Sequence, residues 1–188
     1  MIEKYIFLDI DGVIATQKTI IDGMWGLTPE KQDLLGIILN KTNAKIVISS
    51  SWRYNTLSDT IKYMKKQGFQ YCDKIVGITI RAYHFLKKSN NLLTIPRGVE
   101  IDSWLKNHVI YPWYAYPDKH KDYEIINEDG SFKMMKSLKL GVDFNYVILD
   151  DDQDMLFTQS NNFICCDGYE GLTLDNTNKA IEILNKYD

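Results

Sequence analysis

Four apolar residues, Tyr5, Ile6, Phe7 and Leu8, run without interruption into Asp9, Ile10, Asp11 and Gly12. An apolar run with no polar alternation suits a strand covered on both faces, as in the middle of a parallel sheet, not one with a wet side. Such a strand needs packed layers above and below it, which directs the chain towards an α/β architecture. Its carboxyl end, where open α/β sheets bind their ligands, carries two acids.

The remaining elements fit the same architecture. Thr28, Pro29 and Glu30 supply a cap, a proline at the first helical position and early negative charge, and Leu34, Leu35, Ile37 and Ile38 follow at helical spacing, predicting a helix over 29–42. Ile46, Val47 and Ile48 form a second buried strand that ends in Ser49, Ser50 and Ser51. A helix over 57–67 is stopped by Gly68. Further strands are expected at 74–78, 145–149 and 162–165, with helices at 98–107 and 175–186, the last opened by Asp175. This alternation predicts an open, mainly parallel, Rossmann-like sheet flanked by helices and joined by right-handed crossovers. Residues 108–144 break it. Tyr111, Trp113, Tyr114, Tyr116 and Tyr123 crowd together ahead of a Glu128, Asp129, Gly130 turn, which reads as a hairpin-containing insertion in a single domain spanning 1–188.

With 188 residues, of which 45% are hydrophobic, the chain can bury one substantial core. A net charge of -3 argues against a protein that wraps nucleic acid with a basic surface, although a site for one phosphate end needs few cations. The three cysteines, Cys72, Cys165 and Cys166, match neither a zinc ribbon nor a redox pair and are expected to be buried, reduced thiols. The first apolar run is too short for a signal peptide or a membrane span, so a cytoplasmic protein is expected.

Three predicted strands end in polar residues at the same sheet edge. The first carries Asp9 and Asp11, the second the serines, and the third runs into Asp150, Asp151, Asp152 and Asp154. Carboxylates gathered there would repel one another and hold protons unless a cation neutralised them. All-oxygen donors with no His or Cys cluster favour Mg2+.

In order along the chain, these residues resemble the four motifs of the haloacid dehalogenase superfamily of phosphohydrolases. FLDIDGV at 7–13 resembles its opening motif, which implies Asp9 as the nucleophile that forms an aspartyl phosphate and Asp11 as the acid and base. IVISSS at 46–51 resembles the second motif, with Ser49 or Ser50 binding a phosphoryl oxygen. Arg97 in RGVEIDSWL fits the third motif's cation, with Lys136 and Lys139 as alternatives nearer the final acids. VILDDDQDM at 147–155 resembles the fourth, implying a metal shell drawn from Asp9, Asp11, Asp150, Asp151 and Asp154, with Asp150 as a direct ligand. Arg53 in SSWR would clamp phosphate, and Gly12 and Trp25 are further candidates for substrate contact. SSWR, RGVEIDSWL and FICCDGYEGLT at 163–173 resemble a small branch of that superfamily, the phosphatase-like domains of RNA-repair proteins.

In that family specificity resides in inserted caps, and the intervals here hold a flap at 14–27 and one helix within 13–45, and a helix and a strand within 54–96, with no room for a large cap domain. A lightly covered site implies a phosphomonoesterase for a nucleotide or a nucleic-acid phosphate end, with the aromatics at 111–116 available to stack on a base. The alternatives are a phosphatase of another small metabolite or of a phosphoprotein, and a non-catalytic phosphate-binding module.

Overall fold

The computed structural model describes residues 2–21, 24–81, 83–86, 91–107 and 144–186. The expected insertion, except Phe144, lies outside the described residues, as do Lys136, Lys139 and the aromatics at 111–116.

The first strand, β1, spans Glu3–Leu8 and is buried from Lys4 onward. The chain then makes a two-stranded antiparallel flap, β2 (Ala15–Ile21) with β3 (Met24–Leu27), before helix α1 (Pro29–Thr42). Strand β4 (Lys45–Ile48), helix α2 (Leu57–Lys66) and strand β5 (Ile75–Ile78) follow. A second antiparallel pair, β6 (Tyr83–Leu86) with β7 (Asn91–Thr94), leads to helix α3 (Arg97–Leu105). Strand β8 (Phe144–Asp150), strand β9 (Phe163–Cys165) and helix α4 (Leu174–Asn185) close the chain.

The central sheet has five strands in the order β5-β4-β1-β8-β9, with every neighbouring pair parallel. The expected open parallel α/β sheet is therefore present. The helix predicted over 29–42 forms over that span, because Pro29 starts it and Asn43, left-handed at φ 53, stops it.

Period-two alternation within the strands splits the core into two layers. Ile6, Leu8, Ile46, Ile48, Val147 and Leu149 pack with α1 and α4, through Leu35, Ile38, Leu39, Ala180 and Leu184. Tyr5, Phe7, Val47 and Ile148 face the other way, onto Ile101, Trp104 and Leu105 of α3. The Trp104 ring meets both Tyr5 and Phe7 edge-on, with centroids 5.4 Å apart in each pair. Burial on both sides explains why these strands read as unbroken apolar runs.

From β1 the chain winds outward to β4 and β5 on one side, and the later strands β8 and β9 occupy the other. The order reverses between β1 and β8. A crevice opens at such a reversal because the connections leave in opposite directions, and it lies beyond the carboxyl ends of the strands. No helix among the described residues is long and apolar enough to cross a membrane.

The cysteines depart from expectation. Cys166 is buried and burial pushes its thiol up to about 12, but Cys72 is only half-buried and Cys165 is exposed. Strand β9 has just three residues at the sheet's edge, so its last side chain escapes cover. All three are free thiols.

Candidate active site

Asp9 leaves β1 at the reversal, its backbone N–H donating to the Leu149 carbonyl at 2.9 Å. Directly across the crevice, Asp150 is the last residue of β8 and is fully buried. The next strand over, β4, runs into Ser49, which is tied to the Leu8 carbonyl at 2.9 Å. Parallel pairing in register thus brings the ends of three strands together, as their polar endings in the sequence anticipated.

The turn after Asp9 is tight, with Val13, Ile14 and Ala15 all donating to the Ile10 carbonyl. Gly12 sits in it at φ +72, and a Cβ there would fall 2.2 Å from the Asp151 carboxyl carbon. Gly168 opposes it, since a Cβ there would lie 2.7 Å from Asp151 Oδ2. Two glycines therefore clear the space that the Asp151 carboxylate occupies. Gly171, also at φ +72, permits the Asp167–Gly171 turn to dock on the first loop, where Leu172 N–H donates to the Val13 carbonyl at 2.8 Å. The string FICCDGYEGLT thereby has a structural reason: its glycines fit close backbone approaches around the acids.

Asp9, Asp150 and Asp151 can each place one carboxylate oxygen within 4.8 Å of the others. Asp150 Oδ2 is buried and accepts no hydrogen bond among the described residues. Burial pushes the Asp150 carboxyl up to about 8, with the Asp9 charge adding to it and the Arg97 guanidinium opposing it. Burial likewise raises Asp9, to about 6, against the pull of Arg97 and of a hydrogen bond from Ser50. Asp151 is raised as well, chiefly by burial. Three acids held this close, with an orphaned buried oxygen and oxygen donors only, fit a hard divalent cation that would restore their ionised forms.

Arg97 reaches into the same space from the start of α3. Its Nη2 lies 3.9 Å from Asp9 Oδ2 and its Nε 3.7 Å from Asp150 Oδ2. Buried Nη1 has no hydrogen-bond partner among the described residues, so the guanidinium retains donor capacity beside Asp9. Ser50 is fully buried and hydrogen-bonds Asp9, whereas the Ser49 hydroxyl is buried with no partner among the described residues.

Several sequence-derived candidates have other surroundings. The Asp11 side chain accepts from Ser51 Oγ at 3.0 Å and from Trp52 Nε1 at 2.8 Å, and it does not join the acidic triad. Asp154 is exposed and caps α3, its Oδ2 accepting the Arg97 backbone N–H at 2.8 Å. It stands four residues beyond Asp150, and the intervening turn carries it past the crevice to that helix start. Arg53 is engaged by groups of the chain itself. It is buried, donating to the Ser50 carbonyl at 2.7 Å, the Ile80 carbonyl at 3.2 Å and Glu100 Oε2 at 2.5 Å. Trp25 belongs to β3, but its side chain lies outside the described residues.

Residues 5–129 match the model of a family described as the HAD domain in Swiss Army Knife RNA repair proteins. The chain belongs to that family. No curated protein and no solved structure matches it. The matched span of this HAD domain holds Asp9, Asp11, Ser49, Ser50, Arg53 and Arg97 but stops short of β8. Asp150 and Asp151, which complete the triad, lie beyond that span. Membership places the chain among HAD-type phosphohydrolases, and its acidic triad is compatible with a metal ion.

Ser51, Trp52 and Glu100 were not singled out from the sequence. Their neighbours signalled the site, since all three stand within the SSWR and RGVEIDSWL strings, but which atoms they reach depends on the fold.

Proposed function

We propose that this HAD domain is a Mg2+-dependent phosphomonoesterase acting through an aspartyl phosphate on Asp9. The observation that carries this reading is the position of Asp9, buried at the sheet's reversal point with Asp150 and Asp151 on one side and the Arg97 guanidinium 3.9 Å away. Asp9, Asp150 and Asp151 would hold Mg2+, which supplies neutralisation of the phosphoryl oxygens.

The chain's own residues divide the remaining work. An ionised Asp9 oxygen attacks phosphorus, forming an O–P bond as the ester oxygen departs. Arg97 offsets the charge of the phosphoryl group and of the nucleophile. The Ser50 hydroxyl, already directed at Asp9, donates to a phosphoryl oxygen. Asp11 protonates the departing oxygen and then, as a carboxylate, takes a proton from the water that cleaves the aspartyl phosphate. Arg53 holds the serine turn in place through the Ser50 carbonyl and Glu100.

For the substrate we propose a nucleotide or a nucleic-acid phosphate end. Two features support it: the family's own description concerns RNA repair proteins, and a short antiparallel flap, β2 with β3, follows the first motif. Hydrolysis of an aryl phosphate with Mg2+ tests the chemistry. Asp9→Asn is expected to lower turnover by on the order of 10³-fold or more, and turnover that survives unchanged sinks the nucleophile assignment. Nucleoside monophosphates and oligonucleotides phosphorylated at either end test the substrate, where the absence of any nucleotide preference would defeat it.

A further inference from the structure

Asp11 is gripped by the turn that follows β4. Ser51 Oγ donates to its Oδ2 at 3.0 Å, and the Trp52 indole Nε1 donates to its Oδ1 at 2.8 Å. The two donors are not equivalent. An indole N–H can only donate, whereas a serine hydroxyl can donate or accept. The oxygen facing Trp52 must therefore remain an acceptor in every state of the carboxyl group. The oxygen facing Ser51 can carry a proton, because the hydroxyl can rotate to accept from it or release it.

Trp52 is itself firmly placed. Its ring packs against the core and meets Tyr63 edge-on at 5.6 Å, and its backbone N–H donates to Ser50 Oγ at 3.2 Å. The turn around it is pinned by Arg53 to the Ser50 carbonyl at 2.7 Å and by Arg81 to the Ser51 carbonyl at 2.7 Å. The indole is thus fixed before any substrate arrives.

We propose that Trp52 is a positioning residue that orients the Asp11 carboxyl, keeping Oδ1 as an acceptor so that Oδ2 is the oxygen that gives and takes the proton. The assignment rests on the phosphatase reading above. In the first step the Asp9–phosphorus bond forms and the bond from phosphorus to the ester oxygen breaks. The proton leaves Asp11 Oδ2 for that oxygen, and Asp11 becomes a carboxylate. The indole N–H stays on Oδ1 throughout, so the carboxyl keeps one orientation while Oδ2 exchanges the proton. In the second step Oδ2 takes the proton back from the attacking water as the Asp9–phosphorus bond breaks.

Trp52→Phe removes the N–H and keeps a ring against Tyr63. With Mg2+ present, its kcat/KM is expected to fall by about ten- to hundred-fold more on an alkyl phosphate, whose leaving group needs a proton, than on 2,4-dinitrophenyl phosphate, whose phenoxide leaves unaided. An equal loss on both esters, or none on either, overturns the assignment, since a purely structural role would not discriminate between leaving groups. A second readout needs no turnover: the indole N–H resonance of Trp52, identified by its disappearance in Trp52→Phe, is expected to shift in Asp11→Asn. A resonance that stays put overturns the contact. A native protein that hydrolyses neither ester refutes the proposed function and this assignment together. Native activity without leaving-group discrimination in Trp52→Phe refutes the assignment alone.

Discussion

Gly12 shows how one residue can be legible for one reason and required for another. After two acids, a glycine in sequence reads as a turn former or a phosphate contact. In the structure its φ of +72 and the Asp151 carboxyl carbon 2.2 Å from where a Cβ would stand are two separate demands for glycine. Gly12→Ala is expected to cost about 1–2 kcal/mol in backbone strain, lowering Tm by about 2–8 °C, and to weaken Mg2+ binding by displacing Asp151. Thermal melting with a Mg2+ titration checks both effects. An unchanged Mg2+ affinity would show that Asp151 can shift without consequence. Asp9 and Asp11 were legible as a pair from the strand before them. Their different surroundings were not, because Ser51 and Trp52 come from a turn about 40 residues away.

Among elements, α3 joins the core to the crevice. Trp104 and Leu105 at its far end pack on Tyr5 and Phe7, while Arg97 at its start reaches the acids. Its N-cap, Pro96, offers no side-chain acceptor, and Asp154 supplies one from another part of the chain. Asp154→Ala is therefore expected to cost about 0.5–2 kcal/mol in equilibrium unfolding while leaving Mg2+ affinity nearly unchanged. Asp151→Ala should do the opposite, and calorimetric titration with Mg2+ separates the two. Equal losses of affinity would return Asp154 to the metal site. The sequence placed the helices and the five sheet strands within a residue or two, since apolar runs and caps are local signals. The strands β6 and β7 at 83–94 escaped it, because a short pair outside the central sheet carries no comparable apolar signature.

The whole molecule carries an electrostatic load at its sheet's reversal point. With carboxyls raised from 3.8 to about 6 at Asp9 and about 8 at Asp150, the metal-free folded state binds more protons than the unfolded chain between about pH 4 and about pH 8. Stability from this source is complete below that window and is lost as pH rises through it. In chelator, Tm is expected to fall from pH 5 to pH 8, Asp150→Asn should flatten the fall, and Mg2+ should stabilise the native protein more at pH 8 than at pH 5. A Tm insensitive to pH and to Mg2+ would contradict the burial of these acids as a charged group. By itself the sequence determined that the chain builds a parallel α/β sheet and gathers acids and hydroxyls at its carboxyl edge, because strand period, capping and chain polarity are written locally; the arginine came only from the family resemblance. Only the tertiary structure decided which of those groups meet. Parallel register aligned Asp9 with Asp150, two glycines admitted Asp151, Asp154 was carried away to a helix end and Arg53 was enclosed with Glu100. Those outcomes depend on the distance and direction of side chains brought from remote segments, which no local pattern encodes.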